Sequence, residues 1–168
     1  MSIIIRREQS GDAQAIHDVT VAAFLDAPHT DHTEQFIVKA LRESGALSIS
    51  LVAEYGGKIV GHVALSPVTI SDGADSWYGL GPISVLPDSQ NYGIGTKLMN
   101  AAIQELTEIK AKGCVLLGDS GYYHRFGFEP RAELVLPDVP PEYFQALLIQ
   151  GELPRGIVAY HDAFSAKC

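Results

Sequence analysis

Two cysteines in 168 residues, Cys114 in an apolar run and Cys168 at the end, are too few for a disulfide framework and favour a reducing compartment. Positive charge is also scarce, with 12 Lys and Arg against 20 Asp and Glu and a formal net charge of −8. This argues against a nucleic-acid partner, whose binding depends on phosphate neutralisation by Lys and Arg. An anionic ligand would have to find a local positive pocket on a repelling surface. Long apolar runs are missing as well. The opening "MSIIIRREQS" has three consecutive strongly apolar residues before charge intervenes, so it is neither a signal peptide nor a spanning helix. No other segment is long enough to cross a bilayer, and we expect a cytoplasmic protein with no membrane partner. Internal repeats and low-complexity segments are absent. The composition is otherwise that of an ordinary globular protein, 46% hydrophobic and 19% charged. The length suits one domain with a sizeable core, and residues 1–168 are read as one domain.

Ile3, Ile4 and Ile5 form a short β-branched run, after which Ser10 or Asp12 can cap a helix carrying Ile16, Val19 or Thr20, Ala23 and Phe24. "DAPHTDHTEQ" is a loop, with Asp31 and Glu34 spaced to cap a second helix that Gly45 closes. "LSISLVAEY" and "KIVGHVALSPVTI" are strands joined by Gly56-Gly57, a hairpin signal. The strand "WYGLGPISVL", a helix from Gly95 to about Lys110, and the strand "GCVLLG" form a strand–helix–strand unit whose two strands should be parallel. A short helical "SGYYHRF" follows, then the apolar stretches "AELVL", "FQALLI" and "GIVAYHDAF".

Between strand and long helix lies "QNYGIG", Gln90 to Gly95. Glycine accepts positive φ and lets another molecule approach the backbone closely. The first amides of a helix are unpaired and sit at the positive end of its dipole, so this turn is suited to a phosphate held mainly by backbone N–H groups. The plainer alternative is that Gly93 and Gly95 only shape a tight turn. A P-loop is weakened because Thr96 precedes Lys97 after Gly95, and a dinucleotide fingerprint is weakened because Leu98 stands where a third glycine is needed.

"LGPISVLPDSQNYGIGTKLM" followed by "GCVLLGDSGYYHRFGFEP" resembles the GCN5-related N-acetyltransferase (GNAT) superfamily, and within it the YhbS-like branch. The family pattern Gln/Arg-x-x-Gly-x-Gly/Ala, placed after a strand ending in Val, is met by Val85, Gln90, Gly93 and Gly95. The pattern Tyr-x-Lys/Arg-x-Gly-Phe is met by Tyr123, Arg125, Gly127 and Phe128, and the tail matches the branch at Gly156, Val158, Tyr160, His161 and Phe164.

The resemblance implies an α/β fold with a mixed, splayed central sheet flanked by helices, in the order β-α-α-β-β-β-α-β-α-β-β. It implies acetyl-CoA as cosubstrate and direct acetyl transfer to a primary amine of a small molecule or protein. The diphosphate would lie on the amides of Gln90, Asn91, Tyr92, Gly93, Ile94, Gly95 and Thr96. The pantetheine arm would pair with backbone around Ile83, Ser84 and Val85, which requires the sheet to part between "GPISV" and "CVLLG". Pro82, which cannot complete a strand ladder, fits an irregular strand or an edge.

By the same resemblance Tyr123 is the general acid at the thioester sulfur and also borders the cosubstrate, while a backbone N–H near Val85 polarises the carbonyl. Tyr122 is read as a packing or lining residue. The family's strand glutamate is missing, because Gly79 stands in its place, so no base carries over. His62 or Glu54 acting through water are candidates beside their structural roles. His29, Asp31, His32 and Glu34 have metal-ligand chemistry without a spaced partner set, and no metal is expected; they are read as lining the acceptor entrance. Arg125 pairs with a CoA phosphate or only solvates its helix. The alternatives left open are transfer of a longer acyl group, and a non-catalytic CoA-binding sensor or scaffold. Relatives of this kind are often dimers, so a homodimer is possible.

Overall fold

The computed structural model describes residues 2–27 and 30–168. The chain begins β1 (Ile4–Arg7), α1 (Ala13–Phe24), α2 (Glu34–Glu43), β2 (Ile49–Tyr55) and β3 (Lys58–Pro67). It continues β4 (Thr69–Ile70), β5 (Trp77–Val85), α3 (Ile94–Glu108), β6 (Gly113–Leu117), α4 (Ser120–Tyr123), β7 (Glu129–Pro130), β8 (Leu134–Val135), β9 (Phe144–Leu148) and β10 (Gly156–Ala159). Seven strands form the main sheet in the order β1-β2-β3-β5-β6-β9-β7, and β4-β10-β8 form a small second sheet. The fold is the mixed α/β arrangement with a large sheet and flanking helices. No helix among the described residues is long and apolar enough to cross a membrane.

Local chemistry accounts for most boundaries. Gly56 and Gly57 take φ of 59° and 80° and close the β2–β3 hairpin, with Tyr55 opposite Lys58. The first helix starts after Asp12, but the Asp12 carboxylate makes no cap bond to it; it accepts instead from Arg6 and from the Gln9 amide. The second helix is preceded by Thr33, with Glu34 its first residue, so the expected Asp31–Glu34 cap is not formed. Gly45, at φ 77°, follows its end as expected. The run expected as one strand through Ile70 breaks at Val68, whose N–H turns to the Trp77 carbonyl, and β4 joins the small sheet. The long helix stops at Glu108 and leaves Lys110 in the left-handed region at φ 62°.

The two faces of the main sheet are covered differently. Leu98, Met99, Ala102 and Leu106 of α3 bury against Leu51, Val63, Leu65, Leu80 and Leu116. Ile16 and Val19 of α1 and Val38 of α2 pack on Val52, Ile59 and Ala64 of the opposite face. Leu98 is fully buried, so Leu98→Ala should cost about 3 kcal/mol, lowering the urea midpoint without changing the m-value.

Candidate active site

β5 and β6 run parallel and are paired only at Trp77–Gly113, Tyr78–Cys114 and Gly79–Val115. Beyond Gly79 the ladder stops, and the two strands part where the family resemblance implied a splay. On its other side β5 remains on β3, with Leu80 opposite Leu65 and Ile83 opposite Val63, so that Gly81 and Pro82 face Ala64 alone in a bulge. The Gly81–Pro82 peptide is cis. From Leu80 to Val85, β5 therefore has no β6 partner, and its backbone borders the gap.

At the far end of β5 the chain turns through Asn91 at φ 73° and Gly93 at φ 75° into α3. Among the described residues no amide from Asn91 to Thr96 has a backbone acceptor; the first bond of the helix is from the Lys97 N–H to the Gly93 carbonyl at 3.0 Å. Six consecutive donors thus gather at the positive end of a 15-residue helix. A Cβ added at Gly93 would meet open space, so this glycine serves its left-handed φ, whereas one at Gly95 would come within 3.2 Å of the Tyr122 hydroxyl. The Gln90 Nε2 donates to the Val85 carbonyl at 3.2 Å and ties the turn to the strand.

The gap and the turn form one cavity of about 440 Å³. Of the residues expected at the cosubstrate, Ile83, Val85, Gln90, Asn91, Gly93, Ile94, Gly95, Thr96 and Tyr123 line it. Two do not: Ser84 is buried, and Tyr92 is largely exposed. Ala23 and Phe24, from the last turn of α1, complete the wall together with Tyr122. Sequence reading missed the α1 pair because helical spacing placed them on an apolar face, where core burial explains them equally well.

Tyr123 sits on α4, whose start is capped by Asp119 accepting from the Gly121 N–H at 2.8 Å. Its ring fills the space a side chain at Gly118 would need and stands edge-on to Tyr122 at 4.9 Å. Burial, with the neighbouring Tyr122 and Asp119 adding to it, pushes the Tyr123 phenol above its ordinary value, so the hydroxyl stays protonated. Arg125 stacks its guanidinium over Tyr122 at 4.6 Å and donates to the Tyr122 carbonyl. It is not part of the cavity wall.

Gly79 has a geometric cause. A Cβ there would fall within the ring of Tyr160, which arrives from the C-terminal segment, lies against Gly79 and Val68, and stacks on Phe164 at 4.9 Å. The volume a strand glutamate would occupy is thus taken by an aromatic ring. Burial, and next the Cys114 thiol, raise the Tyr160 phenol well above the usual range.

Of the two candidate bases, Glu54 is held by Arg6 at 3.1 Å in a pair shared with Asp12. His62 is fully buried on β3, with its Nε2 at 2.8 Å from the Ser50 hydroxyl. Ser50 in turn donates to Glu8 at 2.6 Å, and Glu8 accepts two bonds from Arg42 at 2.9 and 2.8 Å. Burial pushes the His62 imidazole down to about 4; Glu8 pulls it up and Arg42 down. Of the loop cluster, His29 lies outside the described residues, and Glu34 accepts from the Thr30 hydroxyl at 2.6 Å. No three His, Cys, Asp or Glu side chains among the described residues come together as a metal would require.

Two outcomes follow for stability. Gly79→Glu should destabilise the protein by forcing Tyr160 out, and combining it with Tyr160→Ala should cost clearly less than the two single changes summed, in denaturant titrations of all three variants. The folded-state value of His62 lies below the ordinary 6.5, so the unfolded chain takes up its proton first. Its contribution is then complete above pH 6.5 and is lost as pH falls toward 4, a loss of about 3 kcal/mol that His62→Gln should remove from the pH profile of the denaturation midpoint.

Residues 46–130 match the family model described as the acetyltransferase (GNAT) domain. The chain is 31% identical over 170 residues to the Escherichia coli K12 protein named uncharacterized N-acetyltransferase YhbS, covering 97% of this chain and 99% of that one. A GNAT family acetyltransferase from Brucella melitensis, solved in complex with acetyl-CoA, superposes with a TM-score of 0.87 at 46% identity, over 98% of this chain and 99% of that one. The E. coli YhbS structure in complex with CoA gives a TM-score of 0.88 at 30% identity, over 96% of this chain and 91% of that one. The parted β5–β6 ladder, the amide-lined head of α3 and these likenesses together make this chain a member of the GNAT acetyltransferase family.

Proposed function

We propose that the protein transfers the acetyl group of acetyl-CoA directly to a primary amine. The observation that carries this reading is the convergence, in one cavity, of the free amides at the head of α3, the unpaired stretch of β5 and the Tyr123 side chain. The cavity's chemistry suits the cosubstrate: backbone donors for a diphosphate, a strand edge for the amide-bearing pantetheine arm, and a protonated phenol for the sulfur. That the Brucella and E. coli relatives were solved with acetyl-CoA and CoA supports the same assignment.

In this reading the neutral amine adds to the thioester carbonyl, whose oxygen takes a backbone N–H near Val85. As the C–S bond breaks, Tyr123 gives its proton to the departing sulfur and regains one from the amine nitrogen, so that one N–H is lost and one S–H gained. A phenol held above its ordinary value suits this role, since it remains a donor until a thiolate forms. The acidic chain favours a cationic acceptor by steering. A second reading, a CoA-binding module without turnover, draws on the absence of any carboxylate at Gly79, where Tyr160 stands instead.

Thiol release from acetyl-CoA across a panel of amines, polyamines, amino acids and peptides separates the two, and longer acyl donors in the same assay test the chain length. Tyr123→Phe should lower turnover by roughly 10²-fold while leaving CoA affinity within about twofold. Thiol release by neither the wild type nor the variant, with CoA still bound, would establish the non-catalytic module.

A further inference from the structure

The loop that carries Tyr123 leaves the main sheet at the end of β6 and returns to it at β7, and β9 lies between those two strands. Gln145, the second residue of β9, is register partner to Leu116 on one side and to Pro130 on the other, so it stands at the base of this loop. Side chains alternate along a strand, which puts Gln145 on the same face as Leu147, a residue packed against the α3 core. Tyr123 and Phe126 pack against that core as well. Gln145 is fully buried, and it is the only amide among the buried polar side chains of the described residues.

One end of this amide is used and the other is not. The Gln145 Nε2 donates to the Gly118 carbonyl at 2.9 Å, whereas Oε1 is buried without a partner among the described residues. A carbonyl only accepts, so the group facing Gly118 has to be the NH2 end, and the orientation of the amide follows. Burying the other end unpaired is unfavourable, and a methionine of similar length would avoid that cost. What an apolar residue cannot supply is the donor to Gly118.

Gly118 is the surface on which Tyr123 rests. A Cβ at Gly118 would fall within the Tyr123 ring, so the ring lies directly on this stretch of backbone. Gly118 is held from the start of β9 by two bonds: its N–H donates to the Tyr143 carbonyl at 2.9 Å, and its carbonyl accepts from Gln145. Asp119, the next residue, accepts the N–H groups of Tyr122 and Tyr123 on its carbonyl at 3.1 Å each and caps α4 with its side chain. Four residues are too few for a helix to sustain itself in water, so α4 takes its place from this anchor. Tyr123 then lines the cavity together with Ile83 and Val85.

We infer that Gln145 is a positioning residue for the acetyl transfer: its bond to Gly118 fixes the backbone under the Tyr123 ring and thereby the place of the phenol hydroxyl in the cavity. The inference rests on the role proposed for Tyr123 above. Gln145 is not part of the cavity wall and acts only through Gly118. Proton transfer to the departing sulfur depends steeply on the separation of the two atoms, and a misplacement of about 1 Å can cost roughly 10²-fold in rate. Without the Gln145 donor the Gly118 peptide is free to turn toward water, and the ring resting on it follows. The head of α3 and the unpaired stretch of β5, proposed to hold CoA, are reached by neither bond, since β9 pairs with β6 and β7 and not with β5. Loss of the Gln145 bond therefore acts on the chemical step and spares the grip on the cosubstrate.

The test is a double-mutant cycle in thiol release from acetyl-CoA with the best amine of the panel above, comparing wild type, Gln145→Met, Tyr123→Phe and the double variant. We expect Gln145→Met to lower kcat roughly tenfold, with the KM for acetyl-CoA and the calorimetric affinity for CoA unchanged within about twofold. In the Tyr123→Phe protein the same substitution should change kcat by less than about twofold, because the hydroxyl it positions is gone. Gln145→Asn, which keeps an amide but is one methylene too short to reach Gly118, should follow the same pattern and guards against a Met variant that fails to fold. A merely structural role would lower kcat by the same factor whether Tyr or Phe stands at position 123. Equal losses in the two backgrounds, or no loss in either, would overturn the positioning role while leaving the transferase reading intact. A Tyr123→Phe variant as active as the wild type, or a wild type that turns over no amine, would remove the role of Tyr123 and this inference with it.

Discussion

The parting of β5 from β6 after Gly79 is the constraint on which the rest of the site depends. Three paired positions keep the two strands in one sheet, and the loss of the ladder beyond them opens a gap whose wall is a strand backbone rather than side chains. The bulge at Gly81 and Pro82 keeps β5 bound to β3 while its other edge is released. Burial of α3 through Leu98, Met99, Ala102 and Leu106 then fixes the helix against the sheet, so that its head points into the gap. A helix so placed presents its unpaired amides at a fixed spot, at no reorganisation cost when an anion arrives.

The opposite face of the sheet is built to a different end. It carries an ionic and hydrogen-bonded row, from Arg42 to His62, beside the aliphatic packing of α1 and α2. A buried, half-partnered imidazole costs stability, and an apolar residue of similar size would avoid that cost. Tyr160 stands in the volume above Gly79, so the C-terminal segment takes the space of a strand side chain there.

Much of this was legible in the letters, for physical reasons. Gly56-Gly57 and the glycines of the α3 turn were informative because each has a backbone angle that other residues rarely adopt. The strand–helix–strand unit was legible because its elements are long and periodic, and the motif residues Gln90, Gly93, Gly95 and Tyr123 meet in one cavity because they flank that unit. The boundaries at Val68 and Lys110 and the caps at Asp12 and Thr33 were not, since each is decided by a tertiary partner or a local competition for a hydrogen bond. The same holds for Phe24, Tyr160 and the His62 row. Their roles come from contacts between residues far apart in sequence, such as Glu8 and Ser50 at 42 positions, or from strand register, and no local pattern encodes them. Ser84 shows the limit most clearly: motif position placed it at the cosubstrate, whereas the pleat of β5 turns it to the other face.

The account stands or falls on the head of α3 gripping a diphosphate. Calorimetric titration of the protein with CoA and, separately, with pantetheine, which lacks the diphosphate, measures that grip directly. The account predicts that CoA binds at least about tenfold more tightly than pantetheine, with the difference shrinking as salt is raised. Equal affinity for the two, or no heat from CoA at millimolar concentration, would contradict it.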